Sequence, residues 1–385
     1  MADFLSDTSA PAHAHVLRAL ESANALGNVR SYGDDALTHE VGVLLERVFG
    51  TSSLKFWLVA CGTAANALAL SSLCSPLEAI LCHPQAHIYC DERNAVEFYT
   101  GGARLTPLHG CPPEAVSAEV LRRHLALVDR TFVHEAPPRV LSLSMLGENG
   151  TCYTKAQLRE LCAIASQNGL FVHIDGARIA NALAQPENGW SSAAELVDAG
   201  VDVLTLGLTK TGAMGCEIIV LFNEACSRFP DLRARAKRAG LMPPKMRYLA
   251  AQAVAMLEND LWLDLAAQAN RMAADLVAAT VTIGPETSSR VGLEVDLAFG
   301  RSATGLPAGN EVFLRMPVRL GDFLRNCIPR ILFYPWQAGD IALTPQSKPD
   351  LGEPLACYRF VCSWSTRADE VQYLCEKVEE WRKLC

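Results

Sequence analysis

From residue 54 to residue 222, short apolar runs alternate with stretches whose apolar residues recur at helical spacing. The runs LKFWLVAC (54–61), AILCH (79–83), RVLSLS (139–144), LFVHID (170–175), DVLTLGL (202–208) and CEIIVLF (216–222) predict strands. They are short and apolar on successive positions, as strands buried on both faces must be. Between them, TAANALALSSLC and TKAQLRELCAIASQNG predict helices. In the second, Leu158, Leu161, Cys162 and Ile164 share one side and Gly169 is a stop. Buried strands separated by helices predict an α/β fold with a mostly parallel sheet under helical cover.

Beyond residue 240 the pattern changes. Lys245 to about Val277 carries few helix breakers and predicts a long helix connecting two domains. EVDLAF, EVFLRMPV and RFVCSW then predict strands, and DEVQYLCEKVEEWRKL predicts a closing helix. These pieces make a smaller C-terminal α+β domain, and the expected division is 1–250 and 251–385. The segment Thr344–Leu355, rich in Pro, Gly and charge, predicts an exposed loop.

Composition narrows the function classes. A length of 385 residues, half of them hydrophobic, suits two domains with a large core. The net charge of -8 argues against nucleic acid, which needs a basic face, and towards small metabolites. No run approaches the roughly 18 uninterrupted apolar residues of a membrane span. The first residues, MADFLSDTSAPAHAH, lack the apolar core of a signal peptide. The 14 cysteines are scattered, often within apolar runs, and form no CxxC pair. Reduced core thiols, no bound metal and a cytoplasmic location are therefore expected.

Three strand ends carry candidate chemistry, and open α/β sheets place ligands at such ends. In VACGTAAN a strand runs into Gly62-Thr63 and a small-residue helix. Free amides there suit a phosphate, although Gly-Thr is also an ordinary turn. In LFVHIDGARIANA, Asp175 ends a buried strand and needs a cation or strong donor. A protonated pyridine nitrogen, a helix cap or an internal Asp–Arg pair would each satisfy it. In DVLTLGLTKTGAMGCE, Lys210 follows a strand where charge is scarce. A desolvated lysine attacks carbonyls, whereas a solvated one is a bystander. Taken in order, the three supply a phosphate anchor, a pyridinium partner and a carbonyl-reactive lysine, the needs of one cofactor.

At this point the chain resembles the threonine aldolases, of the aspartate-aminotransferase-like fold (fold type I) of pyridoxal-phosphate enzymes. The similarity is densest in SYGDD (31–35), CGTAANALAL (61–70), AHIYCDERNAVEF (86–98), HIDGARIANA (173–182), TKTGAMGCE (209–217), KMRYLAA (245–251), FLRMP (313–317) and RFVCSW (359–364). The low-specificity or phenylserine-aldolase branch is the nearest match. The resemblance implies pyridoxal 5'-phosphate held as a Schiff base on Lys210 beside Thr209, with Gly62 and Thr63 at its phosphate. It implies that His87 stacks on the ring and that Arg178 meets the ring hydroxyl or the substrate carboxylate. Ser6 and Arg359 are implied to hold that carboxylate, Tyr32 to stand at the mouth of the site, and His134 to face the substrate side chain. His87, His134 or a water held by them is then the base. The implied reaction cleaves a β-hydroxy-α-amino acid to glycine and an aldehyde, in a homodimer or homotetramer with sites between subunits. Two departures stand out. Met145-Leu146-Gly147 replaces polar residues usual beside the cofactor, and Thr211 replaces an Asn. A β-eliminating lyase, an aminotransferase or a quiet cofactor-binding protein are the competing expectations.

Overall fold

The computed structural model describes residues 1–113, 115–281, 295–302, 304–336 and 354–384. A two-residue strand, β1 (Ala2–Asp3), opens the chain. The main sheet takes β2 (Leu54–Val59), β3 (Ala79–Cys82), β4 (Arg104–Pro107), β5 (Pro138–Ser144), β6 (Phe171–Gly176), β7 (Val203–Gly207) and β8 (Glu217–Phe222), in the order β2-β8-β7-β6-β5-β3-β4. All run parallel except β8, which pairs antiparallel with both β2 and β7. Every residue of β7 and β8 is buried, as their unbroken apolar runs require.

The mostly parallel α/β sheet matches the sequence expectation, with two local differences. β4 escapes the strand pattern because RLTP is short and half polar; it lies at the sheet edge, where Pro107 loses no ladder bond. β8 turns back because Leu208–Cys216 is too short for a crossover helix.

The helix Lys155–Gln167 starts on a capping box between Thr154 and Gln157 and stops before Gly169, whose φ of 68° only glycine takes readily. The helix Gly62–Leu73 is buried at every position from Ala65 onward. It carries small and apolar residues on every side, with Asn66 as a buried polar exception, and its alanines let it lie close beneath the sheet. The expected long helix after Lys245 is two helices, Arg247–Leu257 and Leu261–Thr280. They are divided at Asn259 and Asp260, both left-handed (φ 54° and 57°), a conformation these two residue types tolerate.

Strands β9 (Asp296–Phe299), β10 (Glu311–Pro317), β12 (Tyr334–Pro335) and β13 (Leu355–Val361) form an antiparallel sheet ordered β12-β13-β10-β9. The short β11 (Ile331–Leu332) pairs instead with β1. A second apolar cluster gathers here, with Phe4, Phe360 and Trp381 in it; the first surrounds the main sheet. The helix Leu261–Thr280 feeds both, Trp262 to the first and Leu276 to the second. The predicted loop from Thr344 lies outside the described residues as far as Glu353, and Leu355 already belongs to β13. Among the described residues no helix is long and apolar enough to cross a membrane.

Candidate active site

The parallel strands end on one edge of the main sheet, and the candidate residues gather there. Lys210 sits in a tight turn, Thr209–Thr211, directly after β7. Thr209 Oγ1 accepts from Cys216 N (3.1 Å), and Thr211 Oγ1 donates to Leu208 O (3.0 Å). The buried Glu217 carboxylate accepts from Leu208 N at 2.9 Å. Burial pushes Glu217 up to about 7, although Thr209, the Leu208 amide and Lys210 oppose it. A Cβ on Gly207 would stand 2.6 Å from Ala177 O, so only glycine lets this turn approach the end of β6. Among the described residues Lys210 forms no ion pair within 4.0 Å. The carboxylates that feel its charge are Asp7, Glu148, Glu217 and Glu311.

Asp175, near the end of β6, is buried between Ser144 of β5 and Thr205 of β7. Its Oδ1 accepts from Ala177 N (3.1 Å) and its Oδ2 from Asn66 Nδ2 (2.9 Å). Behind it, His173 spans Ser142 Oγ (2.9 Å) and Thr205 Oγ1 (3.2 Å). Burial pushes His173 down to about 4, against the pull of Asp175, so it is a neutral strut. His87 opens a short helix after β3 and bonds Glu92 through Nδ1 at 2.9 Å. That bond, opposed by burial, raises its proton affinity above an ordinary histidine's.

Gly62 and Thr63 form the first turn of the helix after β2. Its N-cap, Cys61, makes no side-chain cap bond, and no atom lies within 4 Å of a Cβ built on Gly62. Amides at a helix start with open space before them suit a phosphate.

The fourth wall comes from the second sheet. β1 pairs with β11 and Val361 N donates to Phe4 O, which lays the N-terminal segment along β13 and carries Ser6-Asp7 to the site. Arg178 donates to Asp7 through Nε (2.8 Å) and Nη2 (3.0 Å), and its Nη1 lies 3.3 Å from Glu311 Oε1. Asn310 Nδ2 adds a bond to Asp7 at 3.0 Å. Burial would raise the Asp7 carboxyl, but Arg178 and Lys210 hold it below the usual range. Arg178 is therefore braced from the chain itself. Arg359, on β13, is freer: Glu311 is 4.0 Å away, Nε has no hydrogen-bond partner among the described residues, and the guanidinium lies 4.9 Å above the Trp336 ring. The Ser6 hydroxyl caps Thr8 N at 3.2 Å.

His134 is not brought to this edge within one chain, and Tyr32 makes no hydrogen bond or ion pair with the site residues among the described ones. Tyr32 is exposed, with Lys237 over its ring at 4.7 Å. His134 is exposed in the connection entering β5, beside Phe132, whereas the site lies at the other end of that strand. A seven-residue strand spans roughly 20 Å.

A sequence profile of the Beta-eliminating lyase family matches residues 3–296. Two bacterial relatives, both named low specificity L-threonine aldolase, align over almost the whole chain. The one from a Pseudomonas strain is 33% identical over 371 residues, covering 96% of this chain and 95% of the relative. The one from Pseudomonas aeruginosa is 34% identical over 375 residues, covering 97% and 96%. The chain belongs to the beta-eliminating lyase family, with threonine aldolases as relatives. Among solved structures, Leishmania major threonine aldolase superposes with a TM-score of 0.83 at 24% identity, covering 99% of both chains. Thermus thermophilus aspartate aminotransferase superposes with a TM-score of 0.64 at 15% identity, covering 98% of this chain and 90% of that one. These establish the fold type I architecture.

Members of this family depend on pyridoxal 5'-phosphate, and the residues of this lyase fit that group. The open first turn at Gly62 would suit a phosphate dianion, buried Asp175 offers a carboxylate for a protonated ring nitrogen, and Lys210 is a lysine without an ion pair among the described residues. Sequence reasoning missed Asp7, Glu92, Asn66, Glu148, Glu217 and Glu311. Asn66 and Glu217 stand among apolar neighbours, a pattern that demands a buried partner, whereas Asp7, Glu92, Glu148 and Glu311 have polar residues beside them and carry no such mark. Glu148, next to the Met145-Leu146-Gly147 departure, is half-buried and surrounded by charge. Burial pushes it up to about 7, with His87 opposing and Asp175 and Glu311 adding to the rise. Met145 and Leu146 are buried, and Leu146 fills the space that a side chain on Gly309 would need.

Proposed function

We propose that this enzyme cleaves the Cα–Cβ bond of β-hydroxy-α-amino acids of the L-threonine and L-allo-threonine type, and of phenylserine, releasing glycine and an aldehyde. One observation carries the reading: the cofactor-facing set Lys210, Asp175, Gly62 and His87 occupies one sheet edge in a chain a third identical, end to end, to low specificity L-threonine aldolases.

The cofactor, when bound, supplies the electron sink for the bond that breaks. Lys210 is the residue that holds it, Gly62 and Thr63 take its phosphate, and Asp175 holds a proton on its ring nitrogen. Thr209 keeps the lysine's turn in place. His87 covers the ring. Arg359 takes the substrate carboxylate, backed by Trp336, while Asp7 and Glu311 hold Arg178 rigid beside it. Ser6, at the same wall, adds a hydroxyl. Which bond breaks follows from which one is held perpendicular to the ring, so this clamp chooses the reaction by orientation. A proton must leave the β-hydroxyl, and His87 and Glu148 are the titratable groups of this chain that serve there.

Arg359→Ala should raise KM by about 10- to 150-fold, the worth of a charge-assisted pair of roughly 1.5–3 kcal/mol, with a smaller loss in kcat. Steady-state kinetics with L-allo-threonine measures this split, and an unchanged KM would remove Arg359 from the clamp. The reaction itself is tested by assaying glycine and aldehyde from L-threonine, L-allo-threonine and L-phenylserine. Pyruvate and ammonia from serine in place of glycine would instead indicate β-elimination, the chemistry in the family's own name.

Two further readings belong here. Tyr32 and His134 are exposed, and His134 lies at the far end of β5 from its own chain's site, which supports a homodimer or homotetramer in which a second copy completes the site. The thirteen described cysteines are all free, which supports a reducing, cytoplasmic location.

A further inference from the structure

Four side chains form one hydrogen-bonded chain beneath the site. Asp175 Oδ2 accepts from Asn66 Nδ2 (2.9 Å), the same Nδ2 donates to Glu92 Oε1 (2.9 Å), and that oxygen bonds His87 Nδ1 (2.9 Å). Asn66, Glu92 and Asp175 are 2%, 4% and 6% exposed, whereas the His87 side chain is 39% exposed. A buried carboxylate is costly unless paired, and among the described residues Glu92 has no cationic neighbour except His87. Among the described residues its second oxygen has no hydrogen-bond partner, and neither does Asn66 Oδ1. An ionised carboxylate only accepts, so His87 Nδ1 carries the hydrogen and Nε2 is the nitrogen left for the reactants. Asn66 spends its two amide hydrogens on two carboxylates, one facing the ring nitrogen and one holding the histidine.

We propose that Glu92 and Asn66 are positioning residues: Glu92 fixes His87 in one tautomer and orientation, and Asn66 ties that carboxylate to Asp175. The proposal rests on the reading of the site above for the task of His87, and it specifies how the chain prepares that residue. Neither Glu92 nor Asn66 needs to touch substrate. The charged groups facing His87 are Glu92, Glu148 and Asp175, all carboxylates, so every one of them favours the protonated ring. Below its titration midpoint His87 Nε2 donates; above it, Nε2 accepts. Glu92 thereby sets the pH at which His87 can take a proton from substrate.

The test is a ring-carbon NMR titration of the full-length, cofactor-loaded protein with labelled histidine, His87 being identified by the signal lost in His87→Asn. Glu92→Gln keeps an acceptor oxygen at the same place and removes the charge. It should lower the His87 midpoint by about one pH unit or more and carry the acidic limb of kcat/KM to lower pH by the same amount. Glu92→Ala loses the bond as well and should show the same fall, with kcat reduced by about 100-fold and KM little changed. A folded variant of either kind whose His87 titrates at the wild-type midpoint overturns the proposal. The titration needs no turnover. Absence of aldehyde release would sink the retro-aldol reading while leaving this result to be judged on its own.

Discussion

Lys210→Ala is expected to abolish the near-visible absorption of the bound cofactor and to lower kcat by on the order of 10⁴-fold or more. The lysine amine is the group that would react with a carbonyl, and Lys210 stands in the turn directly after β7. Its turn is pinned without it: Thr209, Thr211 and Glu217 hold the backbone, and Gly207 seats it against Ala177. The alanine protein should therefore fold, with a melting temperature within a few degrees of the cofactor-free parent. An absorption spectrum and a glycine assay on the same preparation decide it. A retained band with retained glycine release would move the cofactor linkage elsewhere.

Asp175→Asn should give the second largest loss, and a different one. Asparagine keeps the shape and its one oxygen can still accept from Ala177 N, but its amide nitrogen then meets Asn66 Nδ2 donor to donor, so that bond is lost while cofactor and fold should remain. What disappears is the charge that keeps a proton on the ring nitrogen. In a buried site such a pair is worth about 3–5 kcal/mol once one partner is removed, which corresponds to a kcat lower by roughly 10²- to 10⁴-fold. KM should change far less, because Arg359, the proposed holder of the substrate carboxylate, lies on the other wall. The measurement is kcat and KM side by side, with the absorption band as the control for cofactor. Activity within tenfold of the parent would mean that Asp175 serves only as an internal cap.

The position of a polar residue within the strand pattern decided how far it could be read in advance. Asp175, Lys210 and Gly62 each follow an apolar strand directly, so their place at the sheet edge was legible from local sequence. Six of the seven main strands were legible for a related reason, since burial on both faces leaves an unbroken apolar run. The edge strand Arg104–Pro107 has one face free and carries no such mark. The break at Asn259-Asp260 was equally silent, because either residue can sit within a helix or end one.

What the sequence by itself determined is therefore the order of buried strands, the α/β class and the three strand-end groups that call for one cofactor. These depend on neighbours a few residues away. The tertiary structure alone decided who holds those groups. Asp7 meets Arg178 across 171 residues and Asn310 across 303, Asn66 meets Asp175 across 109, and Arg359 faces Glu311 from the adjoining strand. Tertiary packing also carried the N-terminal segment onto the second sheet. A buried charge states that it needs a partner, but only the folded chain states which one, because the pairing is made through space and no local period records it.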